Sequence, residues 1–214
     1  MTREKAVQTN LEVANSALYD INVEPLTSFD DPSKEARVVS AKFQGVLDEV
    51  LSTNPWNCNR EMVLMNYAES EEMYGWEYVF IIPNDCLYVR AIAPLSDINQ
   101  LTPETLKRFT EYSMNQSSSQ LYMKKGNLIF ANEPYVLLIY SKSIKDCSVL
   151  PSYIAKAVSK CLAAEIAYPL TQDRQIRADQ VGFYDAALRT ARAANAREEN
   201  VYTPISSLIR LREG

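Results

Sequence analysis

The apolar positions near the start of the chain keep helical time. Val7, Leu11, Ala14, Leu18 and Ile21 step by four, three, four and three residues, which lines one face of a first helix. Pro25 and the Ser28, Asp30 and Asp31 cluster then interrupt it, because proline disfavours a helical residue before it and short acidic side chains bind turn backbone. Asp31 followed by Pro32 reads as a helix cap with proline in the first turn, and Glu35 suits the positive end of the helix dipole. The second helix carries Ala36, Val39, Phe43, Val46, Leu47, Val50 and Leu51 as its stripe and stops at Asn54-Pro55.

The period then shortens. Residues 62–65, 76–82, 86–92, 128–131 and 135–140 are short runs rich in β-branched and aromatic side chains, separated by turn-forming residues, and they predict strands. Pro83-Asn84-Asp85 and Ala131-Asn132-Glu133-Pro134 are tight enough to predict antiparallel hairpins within one sheet of four to six strands. Between Pro94 and Gly126 lies a polar interruption, with a helix start at Thr102-Pro103-Glu104 and a serine run at 117–119. Helical spacing returns after Pro151 through Ile154, Val158, Cys161, Leu162 and Ile166 up to Pro169. A fourth helix follows over about Gln172 to Glu198, roughly 40 Å at the usual rise, with a small, alanine-rich end.

The fold class is therefore α+β. A bundle of about four α-helices comes from residues 1–56 and 151–198, an antiparallel β-rich portion from 57–150 with a polar insertion at 94–126, and an extended C-terminal tail from 199–214.

Composition matters mainly for what it removes. The chain has no histidine, so imidazole-based catalysis and histidine-ligated metals are excluded. Its 5 glycines are too scattered to build a glycine-rich phosphate loop. Cys58, Cys86, Cys147 and Cys161 form no C-x-x-C pair, and they read as free thiols in a reducing compartment rather than as disulfides. The polar start MTREKAVQTN carries no signal-peptide core, and no window is apolar enough to span a bilayer, so synthesis in the cytoplasm and no membrane partner are expected. Net charge is -5; residues 1–150 carry 13 Lys and Arg against 20 Asp and Glu, whereas residues 151–214 carry 9 against 7. Such a chain is poorly suited to gripping a phosphate backbone.

Carboxylates are the remaining catalytic material. Asp30/Asp31, Glu71/Glu72 and Glu198/Glu199 are adjacent pairs, but adjacency does not create the cleft-spanning separation that glycoside hydrolysis requires, and capping or solvated roles account for them. The aromatic residues of the strands, Trp76, Tyr78, Phe80, Tyr88 and Tyr135, read as one face of a sheet core rather than as a sugar platform. No catalytic, cofactor-binding or metal-binding residue is assigned, and no cofactor is called for.

Six segments occur in order along most of the chain: Val13-Ala14-Asn15-Ser16-Ala17-Leu18, Pro25-Leu26-Thr27-Ser28-Phe29-Asp30-Asp31, Val46-Leu47-Asp48-Glu49-Val50-Leu51, Asn54-Pro55-Trp56-Asn57, Ile82-Pro83-Asn84-Asp85-Cys86-Leu87, and residues 163–171, AAEIAYPLT. Through them the chain resembles the tail tubular protein A family, the adaptor or gatekeeper rings of short-tailed bacteriophages, from about residue 8 to 198 except across 94–126. The resemblance implies a structural virion protein, made in the host cytoplasm. It would form a homo-oligomeric ring of twelve between the capsid portal protein and the tail nozzle (tubular protein B-like) protein. Double-stranded DNA would pass through the ring without specific binding, as an acidic wall repels phosphate. The tail carries Val201, Tyr202, Ile205, Leu208, Ile209 and Leu211 in a segment unable to form a core alone, so these residues are expected to contact the portal or a neighbouring subunit. The insertion is expected on the nozzle side. The alternative reading is a connector with secondary carbohydrate-hydrolysing activity, or a carbohydrate-acting enzyme, which requires two carboxylates facing one pocket.

Overall fold

The computed structural model describes residues 8–68, 74–97 and 122–199. The expected short helix at 102–112 therefore lies outside the described residues. The chain divides into two compact units, Met1–Val50 with Ile144–Gly214, and Leu51–Ser143. The architecture is α+β, with four α-helices and six strands among the described residues.

In the first unit, α1 (Asn10–Asp20) starts at a reciprocal cap: Thr9 Oγ1 accepts from the Glu12 amide, and the Glu12 carboxylate accepts from the Thr9 amide at 2.7 Å. Its buried face is Val13, Ala14, Ala17 and Leu18. The Asn15 side chain then fixes the return of the chain, donating to the Leu26 carbonyl at 2.9 Å and accepting from the Leu26 amide at 2.8 Å. Asp31 does not cap the next helix. Its carboxylate instead closes the turn behind it, accepting from the Thr27 and Ser28 amides, and Ser33 Oγ accepts from the Ala36 amide to cap α2 (Lys34–Ser52). A serine hydroxyl two residues beyond Asp31 competes successfully for the free helical N–H groups.

The core of the unit is α3 (Ser152–Thr171). Ile154, Ala155, Ala157, Val158, Ser159, Cys161, Leu162, Ala163, Ala164, Ile166 and Ala167 are all buried, so the helix is covered nearly all round and not along a single stripe. Pro169 does not end it. The proline, having no N–H, gives up the helical bond to the Glu165 carbonyl, yet the helix continues to Thr171, whose hydroxyl donates to the Ala167 carbonyl at 2.7 Å. Gln172, which the residue spacing assigns to the fourth helix, is the left-handed cap of α3 at φ 57°. Asp173 then caps α4 (Arg174–Glu199), accepting from the Gln175 amide at 2.7 Å.

The second unit holds β1 (Arg60–Asn66), β2 (Tyr78–Ile81), β3 (Cys86–Leu95), β4 (Tyr122–Lys125), β5 (Leu128–Ala131) and β6 (Tyr135–Lys142). They form two antiparallel three-stranded sheets, ordered β1-β6-β3 and β2-β5-β4, rather than one sheet. Neither expected hairpin forms: Pro83-Asn84-Asp85 leads from β2 in one sheet to β3 in the other, and residues 132–134 lead from β5 to β6 in the same fashion. Three extended residues span about 10 Å, the spacing of stacked sheets, so a short polar connection serves a sheet change as readily as a reversal. The tight hairpin is β4–β5, with Lys125 opposite Leu128 and Gly126 at φ 60° as the first of two turn residues. Met65, Phe80, Ile82, Ile92, Ile129, Val136 and Leu138, drawn from both sheets, share one core.

Strand β3 is irregular against β6 at two places, between Cys86 and Tyr88 and between Val89 and Ala91. The second irregularity carries Arg90, which a bulge turns out of the regular alternation. Its guanidinium donates to the Trp56 carbonyl at 2.6 Å, to Asn59 Oδ1 at 2.7 Å and to Ser141 Oγ at 2.7 Å. The fully buried Trp56 and the segment leading into β1 are thereby tied to the sheet. Replacing Arg90 by Met should leave those acceptors without their donor and lower the unfolding free energy by about 2–4 kcal/mol in urea titrations. Arg90→Lys should recover only part of this, since an ammonium cannot present the same fork.

Candidate assembly surface

The six tail residues expected to make contacts, Val201, Tyr202, Ile205, Leu208, Ile209 and Leu211, lie outside the described residues, as does the part of the insertion from 98 to 121. What the structure does describe is the surface from which the tail departs. Helix α4 buries Gln180, Leu188, Ala191 and Asn195 on one side. At 100° per residue its opposite side carries the exposed small residues Ala178, Gly182, Ala186, Ala193 and Ala196 interspersed with the exposed Gln175, Asp179, Arg189 and Arg197, and the exposed Val181 and Phe183 flank it. Near its end Glu198 accepts from the Tyr153 hydroxyl at 2.8 Å, which fastens the last turn of α4 to the first turn of α3.

Two grooves flank the α3 segment that carries Tyr153, Lys156 and Lys160. One, about 370 Å³, lies against Phe183, Ala186 and Thr190 of α4. The other, about 400 Å³, lies against Val13 and Ser16 of α1 and is lined by Ser152 and Ser159. Lys160 is anchored between them, with its ammonium 2.6 Å from Asp20 Oδ1 and 5.8 Å from the centre of the Phe183 ring. Gln180 donates to the Asp20 carbonyl at 2.8 Å, joining α4 to the end of α1.

Among the described residues the acid pairs are not brought into a common pocket. Asp31 is engaged in its turn, held below the usual carboxylate range by the Ser28 amide and the Thr27 hydroxyl, whereas Asp30 is exposed. Glu198 is engaged with Tyr153, and Glu71 and Glu72 lie outside the described residues. Sequence spacing missed a different grouping in the β unit. Lys142 sits 3.7 Å from both Glu61 and Asp85, and the Tyr140 hydroxyl donates to Asp85 at 3.2 Å. Three separate elements supply this group, so no local motif announces it. Both carboxylates share one lysine, which suits pinning β1, β3 and β6 together at the surface more than proton transfer. Among the described residues no three Cys, Asp or Glu side chains converge as a metal site would require.

All four cysteines are free thiols. Burial pushes the Cys147 and Cys161 thiols up from 9.0 to about 12, and a nearby Asp146 adds to the effect at Cys147. Burial likewise raises the phenols of Tyr184, which faces Cys161, and of Tyr140, the latter to about 12. Both thiols are buried and keep their protons at neutral pH, and the thiolate is the reactive form. Comparison with models of known protein families and with curated proteins finds no match.

The raised thiols set an alkaline limit on stability. Folded Cys147 and Cys161 keep protons that the unfolded chain releases near pH 9, so stability falls as pH climbs from about 9 to 12. The urea midpoint should drop across that window, and the drop should be shallower in a Cys147→Ala, Cys161→Ala variant while the tyrosine part of it remains.

Proposed function

We propose that this protein is a structural adaptor, assembling as a homo-oligomeric ring at the head-to-tail junction of a short-tailed bacteriophage, between the portal and the tail nozzle. The reading starts from the six ordered segments that resemble tail tubular protein A. The structural observation that carries it is the outer face of α4. A helix of 26 residues with one narrow buried stripe leaves its other side exposed, where Ala178, Gly182, Ala186, Ala193 and Ala196 alternate with Gln175, Asp179, Arg189 and Arg197. The small side chains along it let another helix approach closely, and the charged ones between them can pair with groups on that helix.

The remaining features suit the same role. The ring reading requires two unlike faces on each subunit, and a four-helix unit offers several helix surfaces for that purpose. Net charge of -5 favours a wall past which DNA slides, because phosphates find few cations to neutralise. The tail beyond residue 199 carries apolar side chains that a portal or neighbouring subunit would bury.

Native mass spectrometry of the purified chain, alone and mixed with its portal protein, is the direct test: a closed ring of defined mass is expected, and monomer under both conditions would overturn the reading. Ala186→Arg and Ala193→Arg should each shift stability by no more than about 0.5 kcal/mol, as exposed positions do, yet reduce ring formation strongly. Removal of residues 200–214 should leave the helical fold intact by circular dichroism and weaken association with the portal; undiminished association would remove the tail from the interface.

A further inference from the structure

The groove between α1 and α3 has the chemistry of a carboxylate receptor. Ser159 lies on its floor, 3% exposed, and its hydroxyl has no hydrogen-bond partner. A buried hydroxyl is ordinarily paired, so this one is a donor without an acceptor. Ser16 and Ser152 add two further hydroxyls. Lys156 stands at the rim, exposed, and forms no ion pair among the described residues, unlike its neighbour Lys160. The groove thus offers one uncommitted positive charge above a set of hydroxyl donors, an arrangement that favours an anion bearing acceptor oxygens.

The complementary surface is on the same unit but not on the same flank. The connection between α1 and α2 carries Glu24 and Asp30, both exposed and with carboxylates that make no ion pair among the described residues. That connection is held to α1 by Asn15 through Leu26. At 100° per residue Asn15 points about 130° away from the mean direction of Val13 and Ser16, which face the groove. One side of the helical unit is therefore basic and hydroxyl-lined and another is acidic.

We propose that the α1/α3 groove receives the acidic α1–α2 connection of a second copy of this chain, with Glu24 or Asp30 of that copy against Lys156 and the Ser159 hydroxyl. Because the two surfaces differ, the contact is heterologous and leaves each copy with a free groove and a free acidic edge. That repeats around a ring when the rotation closes. The inference rests on the ring reading above and assigns that ring a pair of faces.

A zero-length carbodiimide cross-link, an amide formed between Lys156 Nζ and a carboxylate with loss of water, tests this on the unaltered protein. Isotopically heavy and light copies are mixed, assembled with portal where that is required, cross-linked and digested. The expected product is a heavy–light peptide pair joining Lys156 to Glu24 or Asp30. Lys156 linked only within one copy, to Glu4 of its own N-terminal residues for instance, would overturn the proposal, as would an assembled ring in which Lys156 forms no such link. Lys156→Glu should weaken association at least tenfold, and adding Glu24→Lys with Asp30→Lys should restore much of it; Ser159→Ala should weaken it severalfold. A wild-type chain that never associates, with or without portal, overturns the ring reading and this contact together. A ring lacking the cross-link overturns the contact alone.

Discussion

The near-complete burial of α3 is the constraint on which the helical unit depends. A helix lined on every side by Ala, Val, Leu and Ile must be enclosed. The alanines are as important as the larger residues, since Ala155, Ala157, Ala163, Ala164 and Ala167 let neighbouring backbones come close. The polar ties lie around this centre: Lys160 to Asp20, Lys42 to Glu165 and Tyr153 to Glu198. Such half-exposed pairs contribute little energy each.

With α3 as the common partner, α4 has only one face engaged. The outer face then remains available along the whole of a helix about 39 Å long. Fold and proposed assembly are linked in this way: the unit that satisfies its own core through a central helix leaves peripheral helices with surface for neighbours. The β unit stabilises itself differently, through a core shared by two sheets and through Arg90, whose three described hydrogen bonds collect the chain leading into β1.

What the residue pattern made legible was the periodic part. The four helices and most strands follow from spacing and from Pro25, Pro55 and Pro151, which punctuate them. Helix limits slipped where two capping side chains compete, as with Asp31 and Ser33, or where the helix runs on past a proline, as in the last turn of α3. The strand pairing was not legible, because a three-residue link has the same composition whether it reverses a strand or crosses to another sheet. The bulge that aims Arg90 has no local signature either, and no glycine marks it. For the candidate surface, the alanine-rich end of α4 was visible in the sequence. Lys156 and Ser159 were not, since an uncommitted lysine and an unpartnered hydroxyl are defined only by what surrounds them.

Asn59 has a consequence beyond its hydrogen bonds. Its amide donates to the carbonyl of Leu51 and to that of Lys142, at the two places where the chain passes into and out of the β unit. The whole unit is therefore an excursion whose ends are held side by side. For the helical unit, whose two halves come from opposite ends of the chain, the long separation in sequence shrinks to a short one once the β unit has folded, and most of the entropy of closing that loop no longer opposes it.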